Sequence, residues 1–440
     1  MTLHYKLTKT LLMCLLVAEA GKALAQDKIP FITAHSKVVD IRDGDDLLKG
    51  VWNISPEVKP DTYFALRSKQ PKNVTFYTDR DSITFKVKPG VSYDFGIVID
   101  HKDTAYTRVC LNTYAPLASA LTCNDCTQRP DTIPFRLNFK NQVIIKGRIN
   151  KSTDLDLLFD LGSNGCIVFR SALKESKGAG IRFNGNTNLS GMGGSSNVPT
   201  SSGNTLTIGN RAWPDIKLSY GDKGGVDGVA GYNLFDGRII EINHERKMII
   251  VHPALPALDK NYVSLPMKWT GDLAFFPATL INKGKRYTEW FSFDTGGSGD
   301  LFINSGTMNK HRLYGTMEKV GEDNLKGAGK NRVRTDTYVI PEFEIGGFRL
   351  KNMTADAELP SKEANLQWAI AGNDLLKRFN VIVDYRNDRF YVKPNQLFST
   401  VYQHTFMSRL KTGGVIALII VLGTVGYGLI HYRKRKRSRA

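Results

Sequence analysis

The sequence predicts a mostly β protein: a small β domain, a two-lobed β body, and one transmembrane helix towards the C-terminus. Three observations predict it. Short apolar runs alternate with polar residues between clusters of Gly, Pro and Asp, which is the period-2 pattern of strands. A set of features recurs in the same order in residues 130–255 and 262–396, as an internal duplication does. Gly413–Ile430 carries no charge and is followed by Arg433, Lys434, Arg435, Lys436, Arg437 and Arg439.

Residues 1–25 carry Lys6 and Lys9, the apolar run Leu11–Ala18 and the small residues Ala23, Leu24 and Ala25. This reads as a secretory signal peptide, with an amphipathic first helix as the alternative. Residues 26–129 form the small β domain, on the alternation of Val74 and Phe76, of Ile83, Phe85 and Val87, and of Tyr93, Phe95, Ile97 and Ile99. Its Asp43, Gly44, Asp45, Asp46 run lacks the ligand spacing of a calcium loop and reads as a solvated turn. Outside the leader stand Cys110, Cys123, Cys126 and Cys166. In an oxidising compartment Cys123 pairs with Cys126, or one of them with Cys110, and Cys166 is left as a buried thiol.

The duplication defines the lobes, with Leu255–Asn261 as linker. The first copy runs Leu157, Leu158, Phe159, Asp160, Leu161, Gly162, Ser163; the second runs Phe291, Ser292, Phe293, Asp294, Thr295, Gly296, Gly297. Each is an apolar strand leading into a carboxylate on a glycine turn. Further on, Gly191, Met192, Gly193 matches Gly327, Ala328, Gly329, and Gly228–Phe235 matches Ala369–Leu376. Ile240–Asn243 matches Val381–Asp384. Short helices are expected near Asn233 and Asp374.

On these motifs the chain resembles the aspartic proteases, above all the retropepsin-like type, as two tandem copies over roughly residues 130–396. The resemblance implies a bilobal double-β-barrel fold in which each lobe gives one catalytic aspartate, Asp160 and Asp294. It implies that Gly162 and Gly296 let the turns meet, and that the hydroxyl after each aspartate braces the opposite turn. Thr295 fits that role; Leu161 has no hydroxyl, and Ser163 is the candidate substitute. The Gly191, Met192, Gly193 and Gly327, Ala328, Gly329 tips are expected to act as flaps that bind an extended substrate. One chain carrying both lobes would be active as a monomer.

Two carboxylates held together cannot both ionise, so they share a proton and can activate water and a scissile carbonyl at once. This needs no cofactor or metal. No HExxH, nucleophile elbow or phosphate loop is present to support another chemistry.

Gly413–Ile430 is long enough to span a bilayer, and residues 431–440 would stay cytoplasmic. Of the net charge of +18, the tail holds +6 and the signal segment +2, leaving +10 for the body. That balance, with no nucleic-acid module, gives no support for nucleic acid as a partner. The expected protein is therefore a single-pass cell-envelope endopeptidase with an extracytoplasmic body and a protein or peptide substrate. The competing expectation is a catalytically inactive peptide-binding envelope protein on the same fold.

Overall fold

The computed structural model describes residues 29–44, 46–53, 61–111, 130–222, 224–270, 273–361, 368–400 and 402. The signal segment, Cys123, Cys126, the 413–430 stretch and the basic tail lie outside these residues. No helix among the described residues is long and apolar enough to cross a membrane. The chain divides near residue 113 into two compact units.

The first unit contains β1 (Phe31–Ala34), β2 (Val38–Asp43), β3 (Asp46–Asn53), β4 (Asp61–Ala65), β5 (Lys72–Tyr77), β6 (Ser82–Val87), β7 (Ser92–Ile99) and β8 (Asp103–Leu111). They form two four-stranded sheets, ordered β1-β7-β8-β4 and β3-β2-β5-β6. Val39, Ile41, Val74, Phe76, Phe95, Ile97 and Val109 fill the space between them, as the alternation predicts. The Asp43 run differs from expectation, because Asp43 is buried. Its carboxylate accepts from Tyr63 Oη at 2.8 Å and Leu66 N at 2.6 Å and pairs with Lys72, so it is a core anchor. Among the described residues Cys110 and Cys166 are free thiols.

The first half of the second unit contains β9 (Asp131–Leu137), β10 (Val143–Ile149), β11 (Leu155–Asp160), β12 (Cys166–Phe169), β13 (Gly185–Gly191), β14 (Gly194–Ile208), β15 (Arg211–Gly221), β16 (Gly228–Gly231), β17 (Ile239–Asn243) and β18 (Met248–His252). The second half contains β19 (Val263–Pro266), β20 (Lys268–Thr270), β21 (Leu273–Asn282), β22 (Lys285–Phe293), β23 (Leu301–Ile303), β24 (Glu318–Lys326), β25 (Arg332–Ile345), β26 (Phe348–Glu358), β27 (Ala369–Ala371), β28 (Phe379–Asp384) and β29 (Arg389–Pro394). Short helices occupy Tyr232–Leu234 and Asn373–Leu376, at the matched places.

Each half closes a barrel. In the first the order is β14-β15-β12-β16-β11-β10, and β10 pairs back onto β14. In the second the order is β25-β26-β23-β27-β22-β21, and β21 pairs back onto β25. The parallel and antiparallel pairings also match: β11 is parallel to β16 and β22 to β27, while β12 and β23 run antiparallel to those partners. The duplication read in the sequence is thus a duplication of topology.

A further sheet, β9-β18-β17-β28-β29-β19, joins the barrels. At its centre β17 and β28 run antiparallel, with Ile240 opposite Val383 and Ile242 opposite Val381, all buried. The residue ending each repeat performs one job twice. Asn243 Oδ1 accepts from Arg246 N, and Asp384 Oδ1 accepts from Arg386 N and Asn387 N, each at 3.0 Å, which closes the following hairpin turn.

Candidate active site between the lobes

Asp160 ends, and Asp294 directly follows, a strand whose alternate side chains are sunk into a barrel. Leu157 and Phe159 on β11, and Phe291 and Phe293 on β22, are buried, so the backbone is fixed one residue from each carboxylate. Asp160 stands opposite Gly231 on β16, and Asp294 N donates to Ala371 O on β27 at 3.0 Å. Past the aspartate, the turn's own amides face the carboxylate. Gly162 N donates to Asp160 Oδ1 at 2.8 Å, while Gly296 N and Gly297 N donate to Asp294 Oδ1 at 2.9 and 2.7 Å.

The two turns meet. A Cβ on Gly162 would lie 2.8 Å from Asp294 Cγ, and one on Gly296 would lie 2.5 Å from Asp160 Cγ. Each position therefore tolerates glycine alone, because the opposite carboxyl occupies the space. The Asp160 and Asp294 carboxyls therefore face each other within hydrogen-bonding reach. Enclosure between the lobes pushes both above the usual carboxylate range, and the charge of Asp294 pushes Asp160 well above it. The bond from Asp160 and the amides of Gly297 and Gly296 act against the rise at Asp294.

Thr295 is fully buried and braces the first lobe. Its hydroxyl donates to Phe159 O at 2.6 Å and accepts from Leu161 N at 3.0 Å. Leu161 returns no hydroxyl; its side chain is part of the apolar core. Ser163 does not replace it, since the Ser163 hydroxyl faces its own turn, 3.5 Å from Gly165 O and N. The return contacts come instead from the first lobe's β9–β10 turn. Gln142 Nε2 donates to Gly296 O, Asn141 Nδ2 donates to Asp374 Oδ1 at 2.7 Å, and Asn373 Nδ2 donates to Asn141 O. Sequence reasoning missed Gln142 and Asn141. The match of Asn233 with Asp374, the residue that accepts from Asn141, was the one signal pointing towards this contact.

The second turn is one residue longer than the first, since Cys166 and Leu301 occupy matched places opposite Ala230 and Ala371. The extra length brings in Asp300. It is buried, accepts from Thr354 Oγ1 at 2.7 Å and Thr354 N at 3.2 Å, and is pushed up by burial to about 7.

The two glycine-rich tips touch each other. Gly329 N donates to Met192 O, and Asn331 N donates to Gly193 O, both at 3.0 Å. A Cβ on Gly191 would lie 3.1 Å from Ala328 Cβ, and one on Gly327 would lie 2.6 Å from Met192 Cβ. Gly193 has φ +87°, and a Cβ there would be 2.1 Å from Asn331 O. Met192 also packs, as do Leu325, Trp368 and Ile370, against the buried pair Phe302 and Val333, so the first tip rests on the second barrel.

No family model matches the chain, and no curated protein is similar to it. Among solved structures it is similar to the aspartic proteinase from Irpex lacteus, at 13% identity and a TM-score of 0.43, over 62% of this chain and 100% of that one.

Proposed function

We propose that the chain is an aspartic-type endopeptidase that cleaves peptide bonds with a water activated between Asp160 and Asp294. The observation that carries this reading is the meeting of two enclosed carboxyls, each packed over the glycine of the opposite turn. Such a pair holds one proton over a range in which isolated carboxyls have lost theirs. Two amides stabilise charge on Asp294 against one on Asp160, which favours Asp294 as the ionised member and Asp160 as the proton holder in the free enzyme. The ionised carboxylate takes a proton from water, and the protonated one donates to the scissile carbonyl oxygen. The tetrahedral diol collapses when a proton passes to the leaving nitrogen.

The touching tips act as flaps in this reading. They part to admit an extended peptide and then offer it backbone groups strand to strand. Tyr402 packs on Arg378 at the end of the described body, and only a short segment separates it from Gly413. With 413–430 as a membrane span, the site would work close to the bilayer on exported proteins or peptides.

The test is cleavage of a denatured protein by the full chain from acid to neutral pH, beside Asp160→Asn and Asp294→Asn. Wild-type cleavage should be highest where the pair carries one proton and should fall as pH rises through the upper, raised pKa of the pair. Either variant should lose at least about a thousandfold in rate. Unchanged cleavage in both variants would refute the dyad. Leu161, which returns no hydroxyl to the opposite turn, favours the second reading, an inactive peptide-binding protein on this fold. That reading predicts peptide binding by the wild type without turnover.

A further inference from the structure

The outer face of the second barrel, where the first flap tip rests, carries a carboxylate that the dyad does not use. Strand alternation fixes its direction. Leu301, Ile303, Ala355, Ala357, Ala369 and Ala371 all belong to the barrel core. Phe302, Asp356 and Ile370, the residues between them, therefore face outwards. Phe302 and Ile370 pack there with Met192 of the flap, and Asp356 stands in register beside Phe302. Asp356 Oδ2 lies 3.9 Å from the place of a Cβ on Gly299, in the loop that leads away from Asp294.

Asp356 is half-buried and accepts from Thr337 Oγ1 at 2.6 Å. Among the described residues no cation pairs with it, and burial together with the like charge of Asp323 pushes its pKa up. At the matched place the first lobe has no carboxylate. There the place is taken by Ser219, which lies opposite Ile167 and Thr200 as Asp356 lies opposite Phe302 and Thr337. At this matched place the second lobe thus has a carboxylate where the first has a hydroxyl.

We propose that Asp356 lines a subsite for a lysine or arginine side chain of the substrate, on the second-lobe side of the scissile bond. The inference rests on the endopeptidase reading and specifies its substrate class. A peptide extended between flaps and dyad turns alternate side chains towards the barrel's outer face. A half-buried carboxylate without a counter-ion gains a charge-assisted hydrogen bond from a cation, gains little from a neutral group, and repels an acid. Phe302 and Ile370 supply apolar surface for the stem of a lysine.

The experiment uses the full chain in detergent and synthetic peptides that differ at single positions by lysine, norleucine or glutamate, with products identified by mass spectrometry. Wild type should favour lysine over norleucine at one subsite by about tenfold. Asp356→Asn, and Asp356→Ser with the residue of the first lobe's matched place, should bring that ratio close to one. A wild type indifferent to lysine, or variants that keep the preference, would overturn the proposal. Fluorescence anisotropy with the same peptides separates it from the catalytic reading. If the wild type cleaves no peptide but binds the lysine peptides about tenfold more tightly, and Asp356→Asn abolishes the difference, hydrolysis is wrong and the subsite stands. Equal binding of lysine and norleucine peptides would remove the subsite.

Discussion

At Thr295 one buried hydroxyl serves two backbone groups of the other lobe, Phe159 O and Leu161 N. Thr295→Val keeps the shape and leaves both groups buried and unpaired, so it should cost about 2–4 kcal/mol of stability, read as a lower urea midpoint of the full chain. An unchanged midpoint would mean that the hydroxyl does not hold the lobes together. Leu161→Thr should also destabilise, by about 1–3 kcal/mol in the same assay, because Leu161 is packed in the core and a smaller residue leaves a cavity there. Asp160, Asp294, Thr295 and the two turn glycines were legible because the close meeting of two turns restricts residue type at those positions. Gln142 and Asn141 were not, because a polar residue in a hairpin turn reads as ordinary solvated sequence until its partner across the interface is known. The direction of the Asp43 side chain was hidden for the same reason: Tyr63 and Lys72, which bury it, come from other strands.

At the scale of elements, alternation marked β5, β6 and β7, and the repeat marked matched strands in both lobes. What it did not reveal was that the two hairpin tips pair with each other, since that contact belongs to neither repeat. The pairing depends on Gly193, whose φ of +87° and 2.1 Å clearance to Asn331 O leave no space for a side chain. Gly193→Ala should separate the tips and break the bonds from Gly329 N and Asn331 N. Hydrogen exchange should detect this as at least about tenfold faster exchange of those two amides, with β11 and β22 unaffected, since two hydrogen bonds of about 1 kcal/mol each are lost. Exchange that is equally slow in the variant would show that the tips are held by something other than this pairing.

Across the second unit, two buried groups give stability opposite dependences on pH. Asp300 has its pKa raised from 3.8 to about 7 by burial, so the folded state keeps a proton that the unfolded state gives up. Its contribution is complete below the unfolded value and is lost as pH rises to about 7. His244, packed edge-on against Phe135, has its pKa lowered from 6.5 to about 4 by burial, so the unfolded state takes up a proton that the folded state refuses. Its contribution is complete above the unfolded value and is lost as pH falls to about 4. Between those limits each group changes stability by about 1.4 kcal/mol per pH unit, in opposite directions, so the two nearly cancel. Asp300→Asn removes one side of that balance and keeps an acceptor for Thr354. Relative to wild type it should gain about 3 kcal/mol between about pH 4.5 and 7, measured by urea unfolding at both. A difference that stays constant with pH would mean that Asp300 does not hold its proton through this range, and that the longer second turn carries an ionised carboxylate behind the dyad.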